Sequence, residues 1–384
     1  MWKFLVLSLI ASSGLMAYED AYLSSEDSYV LKERMLVYVQ ILTTNGIYTP
    51  LETYPNSQNS ANTWKDGFGT LTRLGKLQHY ELGKVLRDYY KNFITSSPVE
   101  IDAFSSAEDR STHSLLCMLA SLYAPTDEWQ FLPGFKWQPI PVSYLDSDDI
   151  FFRYPENCET QLIDLEKLYT TSPGKDFIEK DKFHYSLWSN HSGMLIENWN
   201  DVAYLFDILE KERTLGLKVP AWASKYWHHL ERLTDAAHGW NYQTVRSLQL
   251  KIGPLLQFMT VRMRAKKIVD DPTKVSVYMT HDWNLSAFLS AIRSYNGRRP
   301  PPGATVTIEL YKESTSRFSV RMLFFNATHP ELGRQEPHLL TLQNCEEYCP
   351  IETFAKHLEP LIPENFYSTC GQMLEVDSAY GSRL

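Results

Sequence analysis

The sequence predicts an α/β fold, a mixed β-sheet flanked by helices, and three stretches carry that prediction. Leu36 to Thr44 is dense in β-branched and aromatic residues, as a buried strand is, and Asn45-Gly46 ends it with a turn signal. Val275 to Thr280 is a second β-branched strand, running into His281-Asp282 ahead of a helix from Leu285 to Ile292. Between them, apolar residues at Leu74, Leu77, Leu82, Val85, Leu86, Tyr89 and Phe93 recur at helical spacing after Thr72, a residue suited to capping a helix start. In α/β proteins the side chains at the carboxyl ends of strands share a crevice, so chemistry is sought first at Thr44-Asn45 and at His281-Asp282.

Taken in order, Met1 to Ala17 carries a basic residue (Lys3), an apolar run from Phe4 to Ile10, and small residues up to Ala17. That is the pattern of a secretory signal peptide, too short to span a bilayer. No later run in the sequence is long and apolar enough to do so, and the expectation is a soluble secreted or lumenal protein. The chain has 384 residues, 43% of them hydrophobic, enough for a large core in one domain with an insertion, or in two. A net charge of −9 excludes a nucleic-acid binder with a basic face, but leaves room for a small anion in a local basic pocket. Five cysteines in an exported chain imply disulfides with one thiol left over, and their spacing does not fix the pairing. Cys117, in the apolar helical run Leu115 to Leu119, is expected to be a buried inert thiol.

The helix containing His79 makes that residue a structural or surface histidine rather than a chemical one. Ile101 to Phe104 is a short strand that leads through Ser105-Ser106-Ala107-Glu108-Asp109-Arg110 into another helix. Residues 150 to 249 are rich in charged and aromatic side chains in helical runs, and Thr305 to Tyr311 with Phe318 to Phe325 forms a hairpin. Asn190, Asn284 and Asn326 begin glycosylation sequons, with Asn284 placed where burial is expected. No zinc-ligand spacing, Gly-rich phosphate loop or serine elbow is present, so neither a metal nor a cofactor is expected, and His228-His229 is expected at the surface.

Several segments together resemble the histidine acid phosphatase family, the branch containing prostatic and lysosomal acid phosphatase. They are Gly46, Thr49-Pro50 and Leu51 to Pro55; Gly67 to Thr72, Leu74-Gly75 and Gln78 to Gly83; Asp109-Arg110; Trp137 to Val142; His281-Asp282; and Glu309-Leu310-Tyr311. The resemblance covers nearly the whole mature chain. It implies an α/β domain made of residues 18–149 and 250–384 with a mostly helical cap at 150–249, and because no long Gly/Ser linker separates them the two are expected to pack as one unit. It also implies disulfides Cys158–Cys370 and Cys345–Cys349, which leave Cys117 free, glycosylation at Asn326 ahead of Asn190, and a homodimer. A further family disulfide, falling at about Lys211 and Thr305, is absent with both partners gone.

The departures lie at the reactive positions. The family's first strand ends in Arg-His-Gly-Asp-Arg, where this chain has Thr44, Asn45, Gly46, Ile47 and Tyr48. A further family arginine is expected at Phe104. His281, the family's phosphate-contacting histidine, and Asp282, its proton donor, are retained, while Arg110 is expected in a helix-start salt bridge. In the family an imidazole attacks phosphorus while arginines neutralise the oxygens and the acid protonates the leaving group. The amide of Asn45 has a delocalised lone pair and cannot replace that imidazole. Each lost electrostatic contact typically removes about 2.7–4 kcal/mol of transition-state stabilisation. The expectation is therefore a pseudoenzyme whose cleft, remodelled at Thr44, Asn45, Tyr48 and Phe104, binds an uncharged or apolar small ligand or a protein partner. The alternative is a low-activity acid phosphatase using His281 and Asp282.

Overall fold

The sheet grows outward from β1 (Met35–Thr44), whose last seven residues are all buried. A strand covered on both faces must be apolar almost throughout, which explains the dense run after Leu36. In this computed structural model, which describes residues 34–144, 151, 158–313, 316–326 and 336–371, β1 pairs in parallel with β4 (Val275–Thr280) and antiparallel with β5 (Thr305–Lys312). The parallel side continues through β2 (Ile101–Ser105) and β3 (Val142–Ser143). The antiparallel side continues through β6 (Phe318–Phe325), which pairs with both β7 (His338–Leu340) and β8 (Cys349–Pro350). The strand order is β3-β2-β4-β1-β5-β6-β7, a mixed sheet as expected.

Alternation along β1 divides the core. Val39 and Ile41 face α1 (Arg73–Tyr89) and α2 (Asp109–Leu122), packing with Leu82, Leu86, Leu115 and Met118. Tyr38 and Leu42 face the other side, with the helices α9 (Gly253–Ala265), α10 (Asp282–Ala291) and α11 (Ile351–Leu358). Thr72 caps α1, its hydroxyl accepting the Gly75 N–H at 3.0 Å. The helix after β4 begins at Asp282, three residues earlier than the apolar pattern marks, and the Asp282 carboxylate accepts the Trp283 N–H at 2.9 Å.

Between β3 and α9 the described residues are helical: α3 (Glu159–Thr170), α4 (Ser172–Ser192), α5 (Trp199–Thr214), α6 (Ala221–Lys225), α7 (Trp227–Trp240) and α8 (Val245–Lys251). Four of them, α4 to α7, share a core of their own around Trp188, Phe206, Leu209, Leu230 and Leu233. Cys158 at the start of α3 is bridged to Cys370, just past the short α12 (Phe366–Thr369), and Cys345 is bridged to Cys349. Cys117 is free and half-buried rather than buried, and burial pushes its thiol pKa up, which keeps it unreactive. The described residues from Arg34 on belong to one compact unit. None of their helices is long and apolar enough to cross a membrane. Asn190 and Asn326 are exposed, whereas Asn284 is fully buried, its amide donating to the Phe151 carbonyl at 3.3 Å. The expected signal peptide at residues 1–17, like the expected boundary at 149–150, lies outside the described residues.

Candidate functional site

The parallel register decides where the chemistry can be. Thr44 is the partner of Thr280, and Ser105 that of Met279, so the segments leaving β1, β2 and β4 emerge together at one edge of the sheet. The turn after β1 is pressed against α1: a Cβ on Gly46 would lie 2.5 Å from the Gly75 carbonyl oxygen, so only glycine fits there. His79 lies fully buried beneath the same turn, where desolvation takes its pKa down to about 4 against the pull of the Thr44 and Asn45 backbone. It is a structural histidine and not a surface one.

Asn45 and His281 meet at the base of the cleft. The Asn45 amide nitrogen is 3.1 Å from His281 Nδ1. An amide NH₂ only donates, so Nδ1 accepts and the ring proton sits on Nε2. That nitrogen faces Glu108 at 2.9 Å, and Glu108 is in turn 2.7 Å from Arg110. Burial pushes the Glu108 carboxyl up, but His281 and Arg110 outweigh it and hold the carboxyl below its ordinary value.

Tyr48 meets this chain of contacts through its ring, which two cations approach. Lys211 Nζ is 3.6 Å from the ring centroid and the Arg110 guanidinium carbon is 4.8 Å from it. Lys211 is itself paired with Asp207, one turn earlier on α5, at 2.6 Å. Burial, then Asp207 and Asp282, push the Tyr48 hydroxyl well above its usual range. The Asp282 carboxyl is also raised, first by desolvation and then by Asp207. Its Oδ2 lies 3.8 Å from His238 Nε2, on a ring stacked 3.6 Å from Trp283 and bonded through Nδ1 to Ser286 at 2.8 Å. Burial, reinforced by Arg299, holds His238 well below its ordinary pKa, so it stays neutral.

The structure therefore brings Asn45, Tyr48, His281 and Asp282 together and leaves two expected residues outside the group. The ring of Phe104 stacks on Tyr278 at 5.5 Å and meets Phe258 edge-on at 5.6 Å, in the core on the α9 side. Pleating accounts for this: Phe104 shares the face of its register partner Tyr278, which turns toward α9. Thr44 is 1% exposed, and its hydroxyl donates to the Pro301 carbonyl at 3.0 Å instead of facing ligand. The guanidinium that enters the cleft is that of Arg110, in the helix-start ion pair with Glu108. Four other participants, Glu108, Asp207, Lys211 and His238, carried no signal of their own. Asp207 and Lys211 form an i, i+4 pair that reads as an ordinary helix surface.

The fold and this strand-edge site define a phosphatase-like α/β protein, and comparisons with known proteins give its family. The description of the histidine phosphatase superfamily (branch 2) matches residues 26–325, and the chain belongs to that family. It is similar to human lysosomal acid phosphatase, at 30% identity over 88% of this chain and 81% of that protein. It is equally similar to human prostatic acid phosphatase, 30% identical over 95% of each chain. Among solved structures it is similar in fold to the phytase of Citrobacter braakii, with a TM-score of 0.66 at 16% identity over 87% of this chain and 99% of that one.

Proposed function

We propose that this chain is an acid phosphatase relative that has lost efficient phosphoryl transfer and uses its cleft to bind a neutral or weakly polar small ligand. One observation carries the reading: the His281 ring and the cleft's cations are already engaged by neighbouring side chains. Asn45 stands where the family's nucleophile is expected and donates to Nδ1 of His281, the nitrogen whose lone pair an attack by that ring would need. Arg110 is held by Glu108 and Lys211 by Asp207, so an arriving phosphate dianion faces these carboxylates and Asp282 together with the cations. Phosphoryl transfer depends on positioning and charge stabilisation, and both are compromised.

One feature favours a residual acid phosphatase as the second reading. The raised Asp282 carboxyl keeps a proton to higher pH than an ordinary aspartate, as a donor to a leaving alkoxide must. On either reading the helices within residues 150–249 serve as the family's cap over an α/β domain of 18–149 and 250–384. The chain is then exported after signal cleavage to a lumenal or extracellular site, with glycans at Asn190 and Asn326 and the homodimer the resemblance implies. Hydrolysis of a chromogenic phosphomonoester across pH 4 to 7, beside Asp282→Ala, separates the two. Turnover no greater than that of Asp282→Ala supports the binding role; clear Asp282-dependent turnover overturns it.

A further inference from the structure

We propose that Asp181, His184 and His229 form a binding site for a divalent first-row transition metal ion, Zn²⁺ being the natural probe. The three donor atoms lie within 4.8 Å of one another. His229 Nε2 is 2.7 Å and His184 Nδ1 is 3.6 Å from Asp181 Oδ1. A tetrahedral zinc ion with bonds of about 2.0–2.1 Å needs its ligand atoms about 3.3 Å apart, and these two separations bracket that value.

The frame is suited to hold it. Asp181 and His184 are one turn apart on α4, His229 comes from α7, and the two helices share the core of Trp188, Leu230 and Leu233. Both imidazoles pack against Trp188 and His184 also meets Tyr226, so their planes are fixed before any ion arrives. The Asp181 side chain is 5% exposed, and its Oδ2 accepts no hydrogen bond. The histidine side chains are 27% and 23% exposed, which leaves an entry path and a position for water as a fourth ligand. Two nitrogens and one carboxylate oxygen suit Zn²⁺ over Mg²⁺ or Ca²⁺. The Arg232 guanidinium, 3.9 Å from Asp181 Oδ2, opposes a cation and limits the affinity.

Such an ion would clamp α4 to α7, and its three ligands include none of the residues of the Asn45–His281 cleft. The test is calorimetric titration of the chelator-treated full chain with zinc chloride, with thermal melts alongside. One ion per chain is expected, together with a rise in Tm. Affinity should fall by about tenfold or more in His184→Gln and in His229→Gln and increase in Arg232→Gln. Both glutamine substitutions are at partly exposed positions, and melts without zinc confirm that the variants are folded. If one is not, the other decides. Unchanged stoichiometry and affinity in a folded glutamine variant, or no saturable binding by the unaltered chain, overturns the site.

Discussion

Lowering the pH should weaken this protein through His79, and the size of the effect follows from its burial. The ring lies beneath the turn that carries Asn45, and desolvation takes its pKa from the ordinary 6.5 to about 4. The unfolded chain can therefore accept a proton that the folded chain refuses. The sign is fixed by that ordering: stability is unaffected above about pH 6.5, declines as the pH falls below it, and has lost the full contribution by about pH 4. Two and a half units at about 1.36 kcal/mol each correspond to a loss of roughly 3 kcal/mol. His79→Gln is similar in size, keeps a polar donor and does not titrate. Urea unfolding of both proteins at pH 7, 6, 5 and 4 isolates the term, since every other titrating group is common to the pair. The unaltered chain should lose about 3 kcal/mol more than the variant between pH 7 and 4. Equal losses would show that His79 accepts its proton in the folded state, and the argument from burial would fail.

Three further outcomes follow from the same contacts. The raised Asp282 carboxyl means the folded chain holds that proton more tightly than the unfolded one, so its ionised form opposes folding above the raised pKa. Because its side chain is 39% exposed, Asp282→Asn should raise stability at pH 7 by less than about 1 kcal/mol, the gain vanishing as the pH falls through that pKa; a lower Tm at pH 7 refutes this. Asn45→His should leave phosphomonoester turnover within about tenfold of background, because an imidazole without free cations lacks transition-state stabilisation, and full activity from this single change would contradict the account. Gly46→Ala places a methyl 2.5 Å from the Gly75 carbonyl and should cost about 3 kcal/mol in urea unfolding, whereas an unchanged midpoint would show that α1 can move aside.

What the sequence discloses here is what is local. β1, β4 and α1 announce themselves because strand density, the Thr72 cap and helical spacing are properties of a few consecutive residues. β3, β7 and β8 are two or three residues long, too short for any period to appear. The strand-end rule located Asn45 and His281 because parallel register aligns the ends of β1 and β4. Phe104 was expected in the cleft by resemblance, and the structure puts its ring in the core on the α9 side: a matched position along a strand does not reveal which side of the sheet a side chain takes. Asp207 and Lys211 reach Tyr48 only through the packing of α5, more than a hundred residues away in sequence.

On the proposed reading, the position of Tyr48 accounts for why the cleft's cations would not make it a phosphate site. Arg110 and Lys211 flank an uncharged ring, and each also has a carboxylate, Glu108 and Asp207, in direct contact. A phosphate ion binding there must displace a carboxylate from a partly buried pair, and breaking such a pair costs more than an exposed contact returns. A neutral ligand can rest against the ring and leave both pairs intact. The comparison can be made on the protein itself. Glu108→Gln with Asp207→Asn keeps the shapes while removing both counter-charges, so inorganic phosphate should raise the Tm of that double variant and leave the unaltered chain nearly unchanged. Equal stabilisation of the two proteins would mean that the carboxylates do not guard the cations, and the cleft would then retain the anion-binding character of its relatives.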